Sequence, residues 1–590
     1  MKKIIGLCCL LSFSTFFARS QEGSVRINQL GYYPLAPKIA IVIAPVEGEG
    51  FFISAANATD TLFKGKLGEL IASKYSSLKT RSADFSDFHL PGKYLLHVDG
   101  RSNSYPFSIA ENVLKPVAIA SIKGYYFQRA STPLLEKYAG KWARPAGHPD
   151  NQVLIHSSAA TGQRSAGTTI STPGGWYDAG DYNKYIVNSG ITMGTLLSAY
   201  EDFPAYFKKI ATNIPESNDA VPDLLNEVLY NLRWMFTMQD PNDGGVYNKC
   251  TEATFSEMIM PDKVTVERYV VQKGTAATLG FVAVMAQASR IFTAYQKQLP
   301  GLADSCINAA KFAWDWAQKN PAVEYNQSAM NKMMFKPAIT TGGYGDKAFY
   351  DEWLWAACEL YSTTSNEDYF SYIAKNVNSK FTLPTWNNVF ALGFYSLVRN
   401  EKPIAIKHTK EMETIKRAVI DFADGYLKNI SANAFKTVMG QSVSDFIWGS
   451  NSNAANQGIL LMNAYLITKD KKYADAALTN MDYLLGRNAT GYCFVTGQGS
   501  KSPMHPHHRV SIADGIEEPV PGLLVGGPNP GKQDKCTGYE FSDPETCYAD
   551  NDCSYSTNEI AINWNAPLVY LSNAFEALQF ELAYSLAKKK

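Results

Sequence analysis

The sequence predicts a mainly α chain in which an (α/α)6 barrel follows a small immunoglobulin-like β-sandwich. Three observations carry that expectation. From about Leu114 to the C-terminus, apolar residues recur with helical period in twelve separate stretches. Between Ser24 and Ile109 the pattern is instead short β-rich runs broken by Gly and Pro. The Gly, Pro and aromatic residues of the helical part gather in long loops, which at one end of a barrel form its cleft.

Taken in order, Met1 to Gln21 reads as an export signal: Lys2 and Lys3 precede the apolar run Ile4–Phe17, and Ala18-Arg19-Ser20 offers a small-x-small cleavage site. The expected parts are therefore a leader over 1–20, a sandwich over 21–110 and a barrel over 111–590. The mature chain is expected outside the cytoplasm, whether periplasmic, surface-bound or secreted. Lipidation at Cys8 or Cys9 is disfavoured, because Leu7 is large where a small residue is wanted. No other apolar run reaches the roughly eighteen residues of a spanning helix, so no membrane span is expected.

In the sandwich, Val25–Asn28, Lys38–Ala44, Tyr94–Val98 and Tyr105–Ile109 read as strands, punctuated by Gly31, Gly48, Gly50, Pro91-Gly92 and Asp99-Gly100. It carries no clustered acids or His, which favours a packed support over a sugar-binding role. The helical stretches are Leu114–Gln128, Tyr185–Tyr200, Pro222–Met238, Thr275–Phe292, Ala303–Lys319, Asp351–Tyr361, Asn366–Ala374, Asn387–Val398, Lys410–Tyr426, Ala454–Leu466, Lys472–Leu485 and Ala566–Leu586. An even dozen suits six inner and six outer helices, although Glu359–Lys375 reads equally as one broken helix or two.

Composition narrows the partners. With 55 basic and 55 acidic residues in 590, the chain has no net field to attract nucleic acid or an anionic membrane. A neutral polymer is the natural partner, and a monomer is expected. Seven cysteines follow the leader. Cys306 and Cys358 lie in helical apolar patterns and read as buried thiols. Cys536, Cys547 and Cys553 share a Gly- and Asp-rich loop that suits one disulfide in an exported chain; a metal cluster is disfavoured because no His interleaves at zinc-ligand spacing.

Chemistry is concentrated in three loops. Gly174–Tyr185 places Asp178 and Asp181 three apart, separated by Ala179 and Gly180 and flanked by Trp176, Tyr177, Tyr182 and Tyr185. Aromatic rings stack on sugar faces while a carboxylate in such a wall can orient and deprotonate a water. The structural alternative is a turn with an Asp helix cap and core aromatics. Cys493–Arg509 groups His505, His507, His508 and Arg509 in a Pro-pinned segment that binds hydroxyls or a carboxylate, with a His metal site as the rival reading. Tyr548–Pro567 holds Glu559 amid apolar and aromatic residues, where desolvation raises a carboxyl pKa and keeps it protonated as a general acid. A capping-box Glu is the structural alternative.

These motifs together resemble glycoside hydrolase family 9, the subgroup with an N-terminal immunoglobulin-like domain, over nearly the whole mature chain. The opening strand is Val25–Tyr32, and the Asp motif is Gly174–Tyr185. Trp448-Gly-Ser-Asn451 and Asp482–Arg487 follow as landmarks, with His507-His508-Arg509 and Asn558-Glu559 as closing signatures. The resemblance implies inverting, endo-acting hydrolysis of β-1,4-glucosidic bonds in a cellulose-like, mixed-linkage or xyloglucan polymer. It makes Asp181 the general base, Asp178 its partner on the water and Glu559 the general acid. His507 and Arg509 would bind substrate at the cleavage point, and Trp564 would line the cleft; Trp176, Tyr177 and Tyr555 are further expected sugar contacts. Asp351-Glu352 resembles a structural calcium pair, with Asn387-Asn388 where an acid is common. No cofactor is expected for catalysis. Gly147-His148 stands where relatives often have Cys-His in a zinc site, so zinc is not carried over, and Cys493 replaces a Ser, Thr or Val. The rival readings are an exo-acting glucosidase or glucosaminidase and a non-catalytic glycan binder, which would need no raised-pKa acid.

Overall fold

Twelve helices of ten or more residues follow the sandwich in the computed structural model, which describes residues 23–46 and 48–586. The leader expected over Met1–Ser20 lies outside the described residues. The helices are α1 Lys115–Phe127, α2 Ile186–Asp202, α3 Asp223–Thr237, α4 Thr275–Phe292, α5 Leu302–Lys319 and α6 Tyr350–Thr364; then α7 Glu367–Asn376, α8 Phe390–Arg399, α9 Thr409–Leu427, α10 Ser450–Thr468, α11 Lys471–Leu484 and α12 Ile562–Leu578. Even-numbered helices form the inner ring, in which α12 packs on α2, α2 on α4, α4 on α6, α6 on α8 and α10 on α12, while α9 bridges α8 to α10.

Sequence decides which helix goes where. In α4 every residue but Arg290 is buried, so the helix is apolar all round. In outer α9 the buried residues are Met412, Ile415, Val419 and Ala423, one stripe at helical spacing. Against the expectation that no apolar run beyond the leader reaches that length, the segment Thr275–Tyr295 is long and apolar enough to cross a membrane. It is the inner helix α4, and its encirclement by protein accounts for the apolarity. Tight reversals join inner to outer helices. Glu359–Lys375 resolves into two helices because Ser365 turns into the left-handed region and the Asn366 side chain caps α7 through the Asp368 amide.

One sheet of the sandwich orders Val25–Arg26, Ile39–Ile43, Lys79–Asp84 and Ile71–Ala72; the other orders Gly31–Tyr32, Phe107–Ile109, Gly92–Val98, Gly50–Ala55 and Thr61–Lys66. Ile27, Val42, Ile53, Phe85 and Leu96 fill the space between them. Lys79–Asp84 escapes a sequence reading because only Thr80 and Ala83 of its six residues are buried. A third sheet, also unforeseen, lies in the barrel loops. It orders Thr169–Ile170, Val153–Ile155, Arg268–Val270, Lys249–Glu252 and Lys184–Tyr185, and its last strand runs directly into α2.

The sandwich is bonded to the barrel through buried groups. Asn28 donates to Asp482 (2.8 Å), which pairs with Arg487 (3.0 Å), and Arg487 donates onward to the Ile39 carbonyl. The Gln29 amide donates to the Gly491 carbonyl, while its oxygen accepts from the Ser500 and Lys501 amides. Removing one member of the buried pair leaves the other charge uncompensated. We expect Asp482→Ala to cost about 3–5 kcal/mol, read as a fall in the denaturant midpoint of the full chain, whereas Asp470→Ala, at an exposed helix cap, costs about 1 kcal/mol.

Candidate active site

The N-terminal ends of the inner helices converge on one cleft. Gly174–Tyr185 leads into α2, Trp386 precedes α8, Trp448 precedes α10, and Glu559 stands three residues before α12. Three segments distant in sequence are sewn together here by backbone bonds. The Ile562 amide donates to the Asp178 carbonyl (2.8 Å), His507 N–H to the Asn558 carbonyl (2.9 Å), and Arg509 N–H to the Gly180 carbonyl (3.1 Å). Gly180 N–H in turn donates to Glu559 Oε1 (3.3 Å). A Cβ on Gly180 would lie 2.1 Å from the His507 carbonyl oxygen, so only glycine admits this approach.

The acids have unequal surroundings. Asp178 is buried; it accepts from the Asn188 amide through Oδ1 and from Tyr344 OH through Oδ2 (2.8 Å). Burial, and then the adjacent Asp181 charge, push Asp178 up to about 8, so it tends to keep a proton at neutral pH. Asp181 accepts from Tyr185 OH (3.1 Å) and the Asn183 amide, both on Oδ2, which leaves Oδ1 for a water. Asn183 is fixed by Thr251 and the Glu252 amide. Glu559 is partly exposed at the cleft; burial of its carboxyl, followed by the Asp181 and Asp178 charges, holds it well above the usual carboxylate range.

The structure separates the three His of Cys493–Arg509. His507 meets the cleft, with its Nδ1 2.6 Å from the Asp552 carbonyl; that acceptor assigns the proton to Nδ1 and leaves Nε2 an acceptor. Burial and Arg509 hold His507 below its ordinary value, hence neutral. His508 is buried behind it, between Ser511 and Gln128, and burial pushes it down to about 3. Gln128 carries the Tyr177 and Ala179 carbonyls, so His508 positions the Asp motif from behind. His505 is exposed. The rival metal reading of these His is thereby corrected, because they face three different surroundings.

Other expectations also need correction. Trp176 and Tyr177 do not face sugar: both are buried, Trp176 against Tyr125 and Tyr177 with its hydroxyl on His148. Successive residues of that stretch are buried because it lies between two segments, bridged to Arg129 at Trp176 and to Ala561 at Ala179. Arg509 is buried and spends its guanidinium on backbone, donating to the Gly180 carbonyl (2.9 Å) and twice to the Ser256 carbonyl. It therefore clamps the loop through three of its five N–H groups. Tyr555 and Trp564 are partly exposed. Tyr555 stands between Trp448 (5.5 Å between centroids) and His507 (5.8 Å), and the Trp564 ring packs beneath Gly449. Sequence reasoning missed Tyr344 and Trp386, 5.3 Å apart and edge-to-face; Tyr344 has the left-handed backbone rare for an aromatic residue. No residue pattern marked either loop.

Asp346, Asp351 and Glu352 form a second group. All are buried, and one carboxylate oxygen of each finds no donor. Burial, and then their mutual repulsion, push Asp351 up to about 6 and Glu352 well above its ordinary range. No set of three His, Cys, Asp or Glu among the described residues has the spacing of a preformed metal cage. The donor set nevertheless fits a hard cation: carboxylate oxygens packed together without a counter-charge. The Asn387 side-chain oxygen accepts from Thr385, and that of Asn388 from Thr382 and the Phe390 amide. His148 is held by Tyr177 and Glu252. Cys536 pairs with Cys553 and leaves Cys547 a buried thiol.

Residues 115–572 match the glycosyl hydrolase family 9 profile, and residues 20–103 match the cellulase N-terminal ig-like domain. A xyloglucan-specific endo-beta-1,4-glucanase of Bacteroides ovatus is 46% identical over 556 residues, 94% of each chain. Endoglucanase D of Acetivibrio thermocellus is 34% identical over 94% of this chain and 83% of its own length. Among solved structures, a Bacteroides ovatus GH9 protein superposes with a TM-score of 0.89 at 46% identity, covering 94% of this chain and 99% of its own. A metagenome-derived family 9 endoglucanase superposes with a TM-score of 0.84 at 30% identity, with the same coverage.

The close approach at Gly180 generates a direct test. We expect Gly180→Ala to lower kcat at least about 100-fold, by displacing the acids relative to each other, with the melting temperature changed much less than the rate. A variant with near-normal kcat would show that the 178–181 and 507–509 segments separate without functional cost.

Proposed function

Because this chain belongs to glycosyl hydrolase family 9 and cleaves β-1,4-glucan internally, we propose that Asp181 and Glu559 carry out that hydrolysis by inversion, on a xylose-decorated glucan. The observation that carries the assignment is Gly180, whose amide holds Glu559 beside the loop that presents Asp181. Glu559 keeps its proton at neutral pH and gives it to the glycosidic oxygen as the C1–O bond breaks. Asp181 Oδ1 takes a proton from the water that forms the new bond to C1 from the opposite face. Asp178, locked by Asn188 and Tyr344, fixes the far side of that water. Neutral His507 accepts a sugar hydroxyl hydrogen at Nε2, while Tyr555, Trp448, Trp564 and Trp386 supply ring faces along the cleft. Arg509 acts through Gly180. Export is supported by the leader-like sequence and the Cys536–Cys553 bridge.

We expect Asp181→Asn to lower kcat by about 1000-fold, roughly 4 kcal/mol of transition-state stabilisation, with oligosaccharide binding retained. In Glu559→Gln, an aryl glycoside whose leaving group needs no protonation should turn over without the decline at high pH that the wild type shows as the Glu559 proton is lost. Retention of more than about a tenth of kcat by Asp181→Asn would remove it as the base. Viscometry beside reducing-end release on xyloglucan and undecorated mixed-linkage glucan tests the substrate. A steep viscosity fall with few new ends, faster on xyloglucan, is expected; release of single glucose units overturns the endo-acting xyloglucan reading.

Calcium, where bound, would be held by Asp346, Asp351 and Glu352, and the chemistry it supplies is charge neutralisation that fixes the loop from Tyr344 into α6. The sign of its pH dependence follows from the carboxyls. A folded-state pKa raised to about 6 for Asp351 means stability present at low pH and lost as pH rises from the unfolded value through 6. We therefore expect chelation by EGTA to lower the melting temperature more at pH 7.5 than at pH 5, with readdition of calcium restoring it. Equal melting with and without chelator at both pH values rules the site out.

A further inference from the structure

One buried cation near the acids has no part in the mechanism so far. Lys249 opens the strand Lys249–Glu252, in register opposite Tyr185. Its side chain is fully buried, and among the described residues no carboxylate comes within ion-pair distance of Nζ. Nζ donates instead to three neutral acceptors: Gln327 Oε1 (2.7 Å), Thr341 Oγ1 (2.9 Å) and the Gly342 carbonyl (2.6 Å). It also lies 5.4 Å from the centre of the Tyr185 ring.

Each of these partners leads to an acid. Tyr185 donates its hydroxyl proton to Asp181 and accepts from the Gly342 amide. Thr341 shares a hydrogen bond with Thr251, which donates to Asn183, the second residue on Asp181 Oδ2. Two residues beyond Gly342, Tyr344 donates to Asp178. We propose that Lys249 is a positioning residue of the hydrolytic site: it supplies the counter-charge to Asp181 through the Tyr185 ring and pins the 341–344 segment that carries Tyr344 to Asp178.

A buried ammonium with only neutral ligands is costly to keep, and burial, opposed by attraction to Asp181, brings Lys249 down to about 7. A merely structural position would be filled more cheaply by an apolar or neutral polar side chain. Other groups share the field. Tyr325 and His156 face Lys249 from the 325 loop and from just beyond the strand Val153–Ile155. Asp178, Glu559 and His507 face Asp181 from its own loop and the two closing segments, and Arg509 acts on Glu559 and His507. Lys249 is the cation on the side of the Lys249–Glu252 strand.

The inference rests on Asp181 as base, so Asp181→Asn is measured in parallel. In Lys249→Met and Lys249→Gln, we expect kcat to fall about tenfold or more with KM changed less than about threefold, and the acid limb of kcat/KM to move up by about one pH unit, because a base without its counter-charge protonates more readily. Lys249→Arg should keep the acid limb near its wild-type position. Thr341→Ala, which leaves the cation in place, should lower kcat without moving that limb. An unmoved acid limb in whichever neutral variant folds, or failure of both to fold, overturns the proposal in favour of a purely structural lysine. If Asp181→Asn itself remains active, the base assignment falls, whatever Lys249 does.

Discussion

The contact on which the site depends is the approach of the His507 carbonyl to Gly180, at a distance that leaves no room for a side chain. It places two backbone strands side by side, and both polar groups of Gly180 then serve the chemistry. Its amide holds Glu559, and its carbonyl takes the main-chain and side-chain donors of Arg509. Position in a hydrolase of this kind is worth several kcal/mol of barrier, and here it is set by main chain, which has fewer freedoms than side chains. Asp181 and Glu559 can therefore each be left with an oxygen free for reaction.

Charge is handled by a related economy. Asp178, Asp181 and Glu559 crowd a poorly solvated space, where three ionised carboxyls could not coexist. The structure distributes protons instead: Glu559 and Asp178 are held above the usual carboxylate range, and the hydrogen-bond donors Tyr185 and Asn183 gather on Asp181. Behind this layer lies a buried network in which Asp150 pairs with Lys184 and Arg268, while Glu252 meets Arg268 and a His148 that burial and Arg268 hold below its ordinary value. That network spans strands of the small loop sheet, so the sheet reads as the rigid backing of the Asp motif rather than decoration of the barrel.

The sandwich contributes to the same rigidity from farther away. Gln29 bonds the Gly491 carbonyl and the Ser500 and Lys501 amides, at the start of the segment that ends in His507 and Arg509. A segment rich in Gly and Pro has little regular structure of its own, and a neighbouring domain provides the bonds a helix would have made internally.

The sequence by itself determined the succession of twelve helical stretches, because apolar residues recur with helical period wherever a helix buries a face, and it marked Asp178, Asp181, Glu559 and His507 through polar groups set in aromatic or Pro-pinned loops. It also made the β-rich opening segment distinct from the rest. Only the tertiary structure decided which aromatics meet the cleft. Trp176 and Tyr177 have the composition of a sugar platform but turn into the core, while Tyr344 and Trp386, in two loops with no periodicity, meet edge-to-face beside Asp178. Likewise Arg509 is spent on the Gly180 and Ser256 carbonyls, and Lys249 stands behind Tyr185. The reason is common to all four cases. Spacing along a chain fixes which face a residue shares with its near neighbours, but the partner of a buried polar group is chosen by whichever distant segment comes to lie beside it, and that is settled only when the loops close over the barrel.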